Sequence, residues 1–116
     1  MTQPVDWPRF RSLATDDGVG ELVDFYVTYT AEQLDALQAA VDAGDASAIE
    51  MLAHRIAGSN ATSGTTALVA PLIELESRAH AGSLDGAAAL TREARAGFER
   101  VRLFLRQQLE TDASNV

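Results

Sequence analysis

Apolar side chains recur at steps of three and four residues along most of this 116-residue chain, which is the spacing of one face of an α-helix. Good helix formers (Ala, Leu, Glu, Arg and Gln) fill the long segments, whereas β-branched residues are scattered and do not alternate with polar ones. We therefore predict an all-α fold. Apolar residues make up 47% of the chain, enough for one core in a single domain over residues 1–116.

Turn-forming residues divide this pattern into one short segment and four long ones. We predict helices over about 6–14, 19–43, 45–63, 66–80 and 87–109, followed by a flexible polar tail over 111–116. Short connections favour antiparallel neighbours, so the four long helices should form an up-down-up-down antiparallel four-helix bundle over about 19–110. Trp7 and Phe10 should pack the short N-terminal helix as a lid over one end of the bundle.

The second helix is expected to bury one stripe of apolar residues. The stripe consists of Leu22, Phe25, Tyr26, Tyr29, Leu34, Leu37 and Val41.

Composition excludes several classes of function. The net charge is −8, and all nine basic residues are Arg, so the chain lacks the basic surface that nucleic acid or anionic lipid requires. No stretch approaches the ~20 apolar residues of a membrane span, and the N-terminus does not resemble a signal peptide, so we expect a cytoplasmic protein. The chain has no cysteine, and its two histidines lack a cluster of acidic partners in the sequence, so we predict no metal site.

The third helix carries the residue of greatest chemical interest. On a helical projection Ile49, Leu52, Ala53 and Ile56 form the core stripe, and His54 points away from it towards solvent. Gly58 lies one turn after His54, although a glycine inside a helix costs about 1 kcal/mol relative to alanine.

Two explanations of this glycine remain open. Gly58 either keeps the approach to the His54 ring clear or allows close packing of another helix. In the first case Met51, Ala57, Gly58 and Ala61 would form a shallow apolar surface around an exposed histidine, as docking sites often do. In the second case His54 is an ordinary surface histidine.

The segment around His54 also has a distinctive order of residues. It reads A-H-R-I-A-G-S-N over 53–60, then G-T at 64–65, and L-E at 75–76 after leucines at 68 and 72. This run resembles the histidine-containing phosphotransfer (HPt) domain family, whose pattern is close to A-H-x-L-K-G-S-S, then G-A and a leucine repeat ending in L-E. The run aligns without a gap, and the flanking helices from about 22 to 109 agree with the family.

The resemblance implies a stand-alone phosphorelay intermediate. His54 would accept a phosphoryl group on Nε2 from the aspartyl phosphate of a response-regulator receiver domain and pass it to another receiver. Gly58 would leave room for that group, and Met51, Arg55, Ala57, Ser59 and Ala61 would support or border the docking surface. Partners would be receiver domains, with a hybrid sensor histidine kinase as a further candidate. The chain would be a monomeric phosphocarrier without kinase activity, and Mg²⁺ would be bound by the receiver.

One position departs from the family pattern. The family usually has Lys three residues after the histidine, and this chain has Ala57 there. Arg55 is the nearest basic residue, and its long side chain could serve instead. Asn60 replaces the second Ser of the pattern. The missing Lys motivates an alternative function, a non-catalytic helical adaptor that docks and regulates a receiver or sensor kinase without carrying phosphate.

The remaining candidates have structural interpretations. His80 lies near a helix end, where a histidine interacts favourably with the helix dipole. Ser59, Thr62 and Ser63 are expected to satisfy backbone groups near the end of the third helix. Because no convergent set of acid, base and nucleophile is visible, an enzyme with its own active site is the weakest alternative.

Overall fold

A computed structural model describes residues 3–15 and 17–114, and throughout these ranges the only regular structure is helical. Its elements are α1 (Trp7–Ser12), α2 (Val19–Ala43), α3 (Ala46–Ser63), a 3₁₀ turn (Thr66–Leu68), α4 (Val69–His80) and α5 (Ala87–Ser114). The predicted all-α class is confirmed. The first three residues of the predicted fourth helix form the 3₁₀ turn instead.

The four long helices form the predicted antiparallel bundle. Exposed ion pairs show the register of α2 against α5, because Asp24 pairs with Arg106 and Asp35 pairs with Arg95. Such pairs add little stability. The core between the helices provides most of it, since apolar surface from every element is removed from water there.

The buried face of α2 is rotated from the predicted stripe. Its buried residues are Val23, Tyr26, Thr30, Leu34, Leu37 and Ala40. Phe25 and Tyr29 had been predicted to be buried, and this was wrong: they are 66% and 40% exposed and stack on each other with ring centroids 5.5 Å apart. The face that turns inward is the one that offers Val23 and the small Thr30 to the neighbouring helices.

Glycines in the left-handed region end α3, which carries His54, and α2, the helix before it. Gly44 has φ 65° after α2, and Gly64 has φ 77° after α3. Asp45 caps the N-terminus of α3, because its carboxylate accepts a hydrogen bond from the Ala48 amide at 3.1 Å. These caps fix where α3 begins and ends, and therefore which of its residues face solvent.

The N-terminal segment is held against the turn between α3 and α4. The Asp6 amide donates to the Gly64 carbonyl at 2.7 Å, and the Ala67 amide donates to the Pro4 carbonyl at 3.2 Å. Phe10 is 1% exposed, and the Trp7 ring stacks on it with centroids 6.0 Å apart. α1 therefore forms the expected lid over one end of the bundle.

The last helix is longer than expected. We predicted its end at Leu109, but α5 continues to Ser114, since no Gly or Pro interrupts residues 110–114. Residues 115 and 116 of the predicted flexible tail lie outside the described residues.

Where α5 passes the 3₁₀ turn, a Cβ on Gly97 would lie 2.5 Å from the Ala67 carbonyl oxygen, so glycine permits the close approach. None of the described helices is long and apolar enough to cross a membrane.

Candidate functional site

The middle of α3 presents His54 to solvent. Its buried residues are Ile49, Ala53, Ile56, Ala57 and Asn60, so the core lies on the side of the helix away from the His54 ring. The side chain of His54 is 79% exposed. The prediction that His54 points towards solvent is therefore confirmed.

Glu76 on α4 holds one nitrogen of the His54 ring. The Nδ1 atom of His54 lies 2.5 Å from Oε1 of Glu76, whose side chain is 26% exposed. When the imidazole is neutral, Nδ1 donates its proton to this carboxylate, and the lone pair is then on Nε2. The pair leaves Nε2 as the free, nucleophilic atom of an oriented ring.

Sequence reasoning did not assign Glu76 a role, although its position was quoted as the end of the leucine repeat. The signal that could have found it is the antiparallel order of α3 and α4. Residues on two such helices face each other in reverse sequence order, so a carboxylate on α4 can lie opposite a histidine on α3. The leucine repeat fixes the side of α4 that faces the core: Leu72 and Leu75 are buried, and Glu76 follows at the edge of that face.

Gly58 is open to solvent. A Cβ built on this residue would have no heavy atom within 4 Å, apart from the local helix backbone. Close helix packing therefore does not require this glycine, in contrast to Gly97 in α5. Of the two explanations left open by the sequence, the geometry favours the one in which Gly58 keeps the surface beside His54 clear.

The predicted surface around His54 is present except at one position. Met51, Arg55, Ser59 and Ala61 are exposed, and Met51 is 52% exposed. The expectation that Ala57 borders this surface was wrong: Ala57 is 7% exposed and belongs to the core cluster. The small side chain of Ala57 points into the core of the bundle and does not line the surface around His54.

A buried polar network lies on the inner side of α3. Asn60 is 1% exposed and accepts hydrogen bonds on Oδ1 from Tyr26 at 2.7 Å and from Thr65 at 2.6 Å. Its Nδ2 donates to the Ile56 carbonyl at 2.8 Å. Burial raises the pKa of Tyr26 to about 12. Asn60 therefore links α2, α3 and the turn after α3, which is a structural reason for an amide where the family pattern has Ser.

His80 has a partner that sequence analysis did not anticipate. Its Nδ1 lies 3.0 Å from Oε2 and 3.2 Å from Oε1 of Glu50, and the His80 side chain is 80% exposed. His80, Glu50, His54 and Glu76 line one open groove of about 810 Å³ between α3 and α4. No three of the described His, Asp and Glu residues come together as metal ligands.

The hydroxyl groups near the end of α3 are engaged with the backbone, as expected. Ser59 donates to the Ile56 carbonyl at 3.2 Å, and Thr62 donates to the Gly58 carbonyl at 3.0 Å. Ser63 donates to the Asn60 carbonyl at 3.4 Å. Each hydroxyl donates to a backbone carbonyl of its own helix, as serine and threonine often do near helix ends. None of these hydrogen bonds activates a hydroxyl as a nucleophile.

Comparison with known proteins identifies this arrangement. A family model described as the Hpt domain matches residues 21–113. The chain belongs to the Hpt domain family. The Hpt domain is also similar to the crystal structure of histidine-containing phosphotransfer protein B (HptB) from Pseudomonas aeruginosa PAO1. The TM-score is 0.86 and the identity 31%, over 96% of this chain and 98% of that chain.

No curated protein sequence matches this Hpt domain. The family and the similarity to HptB make the chain a histidine phosphotransfer protein of phosphorelay signalling. Proteins of this class act as phosphocarriers and interact with receiver domains of response regulators or hybrid kinases. The family model begins at residue 21, so the α1 lid lies outside the matched range.

Proposed function

We propose that this Hpt domain is a phosphorelay intermediate whose phosphoacceptor is His54. It would accept a phosphoryl group from the aspartyl phosphate of one receiver domain and pass it to another. The observation that carries the proposal is the state of the His54 ring: Nδ1 is held by Glu76, while Nε2 faces solvent on a helix face that Gly58 leaves open.

The bonds that form and break belong only to this ring and to an acyl phosphate. Nε2 of neutral His54 attacks phosphorus, the N–P bond forms as the P–O bond of the acyl phosphate breaks, and the aspartate carboxylate leaves with the electron pair. The ring keeps its Nδ1 proton and becomes an imidazolium. Glu76 acts as a positioning residue, because its carboxylate orients the ring and stabilises the imidazolium charge. The same steps in reverse return the group to a receiver.

The partner would supply the remaining groups. Phosphoryl transfer depends on positioning and on stabilisation of charge at the phosphoryl oxygens. The receiver is expected to bring Mg²⁺ and most of the charged groups, and this chain is expected to act as a monomeric carrier without kinase activity. Arg55 is exposed, follows His54 directly and forms no ion pair with another described residue. We assign it the role of a cation for the phosphoryl group in place of the family's Lys.

Docking would use the exposed face of α3 around His54. Met51 and Ala61 offer apolar surface on either side of the ring, and Gly58 leaves room for a receiver to approach Nε2. Ser59 borders this face. A hybrid sensor kinase would use the same face, because its receiver domain has to reach the same nitrogen.

The test is incubation with a radiolabelled, phosphorylated receiver domain and Mg²⁺. We expect acid-labile, base-stable label on the wild-type chain that maps to His54 by fragmentation mass spectrometry. His54→Gln should lose the rapid phase of labelling and the ability to pass label to a second receiver. Absence of label with every competent receiver, or label that maps away from His54 in the wild type, would contradict the proposal.

One observation favours a second candidate function, an adaptor that docks a receiver without carrying phosphate. The position where the family usually has Lys is a buried alanine, Ala57, so the chain lacks that cation beside the acceptor. The adaptor requires that a receiver binds but does not transfer label, and that His54→Gln signals like the wild type. A His54→Gln variant that binds the receiver but no longer signals would exclude the adaptor.

A further inference from the structure

Glu50 and His80 form a second histidine–carboxylate pair in the groove that contains His54. The Nδ1 atom of His80 lies within 3.2 Å of both carboxylate oxygens of Glu50. The side chain of His80 is 80% exposed, compared with 79% for His54. In both pairs a carboxylate takes Nδ1, so in both rings Nε2 is the atom left for solvent.

The two pairs are related by the antiparallel packing of α3 and α4. Glu50 precedes His54 by four residues on α3, and Glu76 precedes His80 by four residues on α4. His54 lies opposite Glu76, and Glu50 lies opposite His80. Four residues of helix rise about 6 Å, so the pairs stand about one helical turn apart along the groove.

We propose that His80 is a second phosphoacceptor, which takes a phosphoryl group on Nε2 from the same class of donor as His54, an acyl phosphate on a receiver domain. This inference rests on the proposed function, because that function supplies the donor. A receiver docked on the α3–α4 groove would shift by about one helical turn along the groove, and across it from α3 to α4, to bring its acyl phosphate from one ring to the other.

The transfer step balances without any additional reactant. Nε2 of neutral His80 attacks phosphorus, and the N–P bond forms while the P–O bond of the acyl phosphate breaks. The receiver carboxylate leaves with the electron pair, and His80 keeps its Nδ1 proton as an imidazolium. Two features stabilise that imidazolium: the Glu50 carboxylate at Nδ1, and the position of His80 as the last residue of α4, where the helix dipole favours positive charge.

His80 should be the slower of the two acceptors. The open residue one turn beyond His54 is Gly58, whereas the residue four positions after His80 is the partly buried Leu84, beyond the end of α4. The neighbouring surface at His80 therefore consists of a loop instead of a continuous helix face. A receiver that docks on the continuous face of α3 would contact a shorter stretch of helix when its acyl phosphate is placed at His80.

The experiment measures label transferred from a radiolabelled, phosphorylated receiver to the wild-type chain and to four variants. The variants are His54→Gln, His54→Gln/His80→Gln, His54→Gln/Glu50→Gln and His54→Gln/Glu74→Gln. Glu74 is the matched control, since it is an exposed carboxylate of α4 that pairs with Arg78 instead of a histidine. Circular dichroism of each variant verifies that the surface substitutions leave the helices intact.

We expect His54→Gln to retain slow, acid-labile, base-stable label that maps to His80. That label should be lost completely when His80→Gln is added. Adding Glu50→Gln should slow it about tenfold, which is the size of effect expected for removing a group that orients a histidine, whereas adding Glu74→Gln should not change it.

Three outcomes would overturn the inference. A labelled wild type with an unlabelled His54→Gln variant leaves the proposed function standing and removes only His80. Label on His54→Gln that survives His80→Gln places the second acceptor elsewhere. If the wild type takes no label from a receiver that binds it, the proposed function and the inference fail together.

Discussion

At the scale of single residues, the two nitrogens of the His54 ring have opposite surroundings. Nδ1 faces a carboxylate of α4, and Nε2 faces solvent. A histidine on the surface of an isolated helix would rotate freely and present either nitrogen. The contact with Glu76 removes that freedom, which is the kind of orientation that a transfer reaction needs in advance.

Glu76→Gln should therefore slow phosphotransfer without unfolding the bundle. The amide keeps the shape of the side chain but loses the charge that stabilises an imidazolium, and we expect about a tenfold to hundredfold lower transfer rate. The measurement is the initial rate of labelling by a phosphorylated receiver. Glu74→Gln on the same helix is the control and should transfer at the wild-type rate. Equal rates for the two variants would show that Glu76 has no positioning role.

A second residue-scale prediction concerns the buried phenol of Tyr26. Folding raises its pKa from 10 to about 12, so above pH 10 the unfolded chain releases a proton that the folded chain keeps. The free energy of unfolding should be unaffected by this group below pH 10 and fall as the pH rises from 10 to 12. The total loss should be about 2 to 3 kcal/mol.

Urea unfolding between pH 9 and 12 measures this dependence, and the absence of Lys leaves few other groups that titrate there. Tyr26→Phe should flatten the curve between pH 10 and 12, at the cost of one hydrogen bond to Asn60. Tyr29→Phe, at an exposed position of the same helix, is the control and should keep the alkaline loss of stability. A Tyr26→Phe curve as steep as that of the wild type would assign the loss to another group.

The residue-scale predictions from sequence succeeded where a pattern was local and failed where it depended on a second helix. The exposure of His54 follows from the spacing of Ile49, Ala53 and Ile56 on its own helix. The roles of Glu76 and Asn60 depend on residues of other helices that lie opposite them. A single sequence does not show how α2 and α4 are rotated about their axes, so it does not show which residues face each other.

At the scale of elements, α3 tolerates a glycine at a position where no packing demands one. Gly58→Ala should raise the free energy of unfolding by up to about 1 kcal/mol, because alanine has the higher helix propensity and its Cβ meets open space. Thermal unfolding followed by circular dichroism measures the change. A lower melting temperature would show that Gly58 serves the fold.

A larger side chain at the same position separates stability from function. Gly58→Leu should keep the helix but slow labelling by a phosphorylated receiver, since the leucine would occupy the space beside the His54 ring. Gly20 in α2 is the matched control: its Cβ would also meet open space, and Gly20→Leu should not slow labelling. If Gly58→Leu is labelled at the wild-type rate, the glycine is not needed to keep the space beside the His54 ring open.

The element boundaries were predicted well for α2, α3 and the end of α4, because glycines and a capping aspartate mark them in the sequence. The buried face of α2 was predicted badly. Phe25 and Tyr29 are aromatic and Thr30 is polar. A prediction from hydropathy alone therefore placed the two aromatic residues, and not Thr30, on the buried face of α2. Thr30 is nonetheless 3% exposed, because it follows the buried Tyr26 by four residues and so lies on the same face of α2.

At the scale of the whole molecule, the lid contributes to the core although it lies outside the range of the family model. Phe10 is 1% exposed, and its ring meets the Tyr26 ring edge-on with centroids 5.9 Å apart. Phe10→Ala should lower the free energy of unfolding by about 3 to 5 kcal/mol, through lost burial and the cavity left behind.

Chemical denaturation of the full chain measures this loss. Phe25→Ala is the matched control, because that phenylalanine is 66% exposed, and it should cost less than about 1 kcal/mol. Similar losses for both variants would mean that α1 does not share the core of the bundle.

The lid also provides an optical reporter. Trp7 is the only tryptophan of the chain, and its ring lies against Phe10 of α1 and edge-on to Phe104 of α5, 6.4 Å between centroids. Its fluorescence therefore responds to detachment of α1, whereas far-ultraviolet dichroism responds mainly to the four long helices. If the emission changes at a lower denaturant concentration than the dichroism, the N-terminal segment opens as a separate unit. Coincident transitions would mean that lid and bundle form one cooperative body.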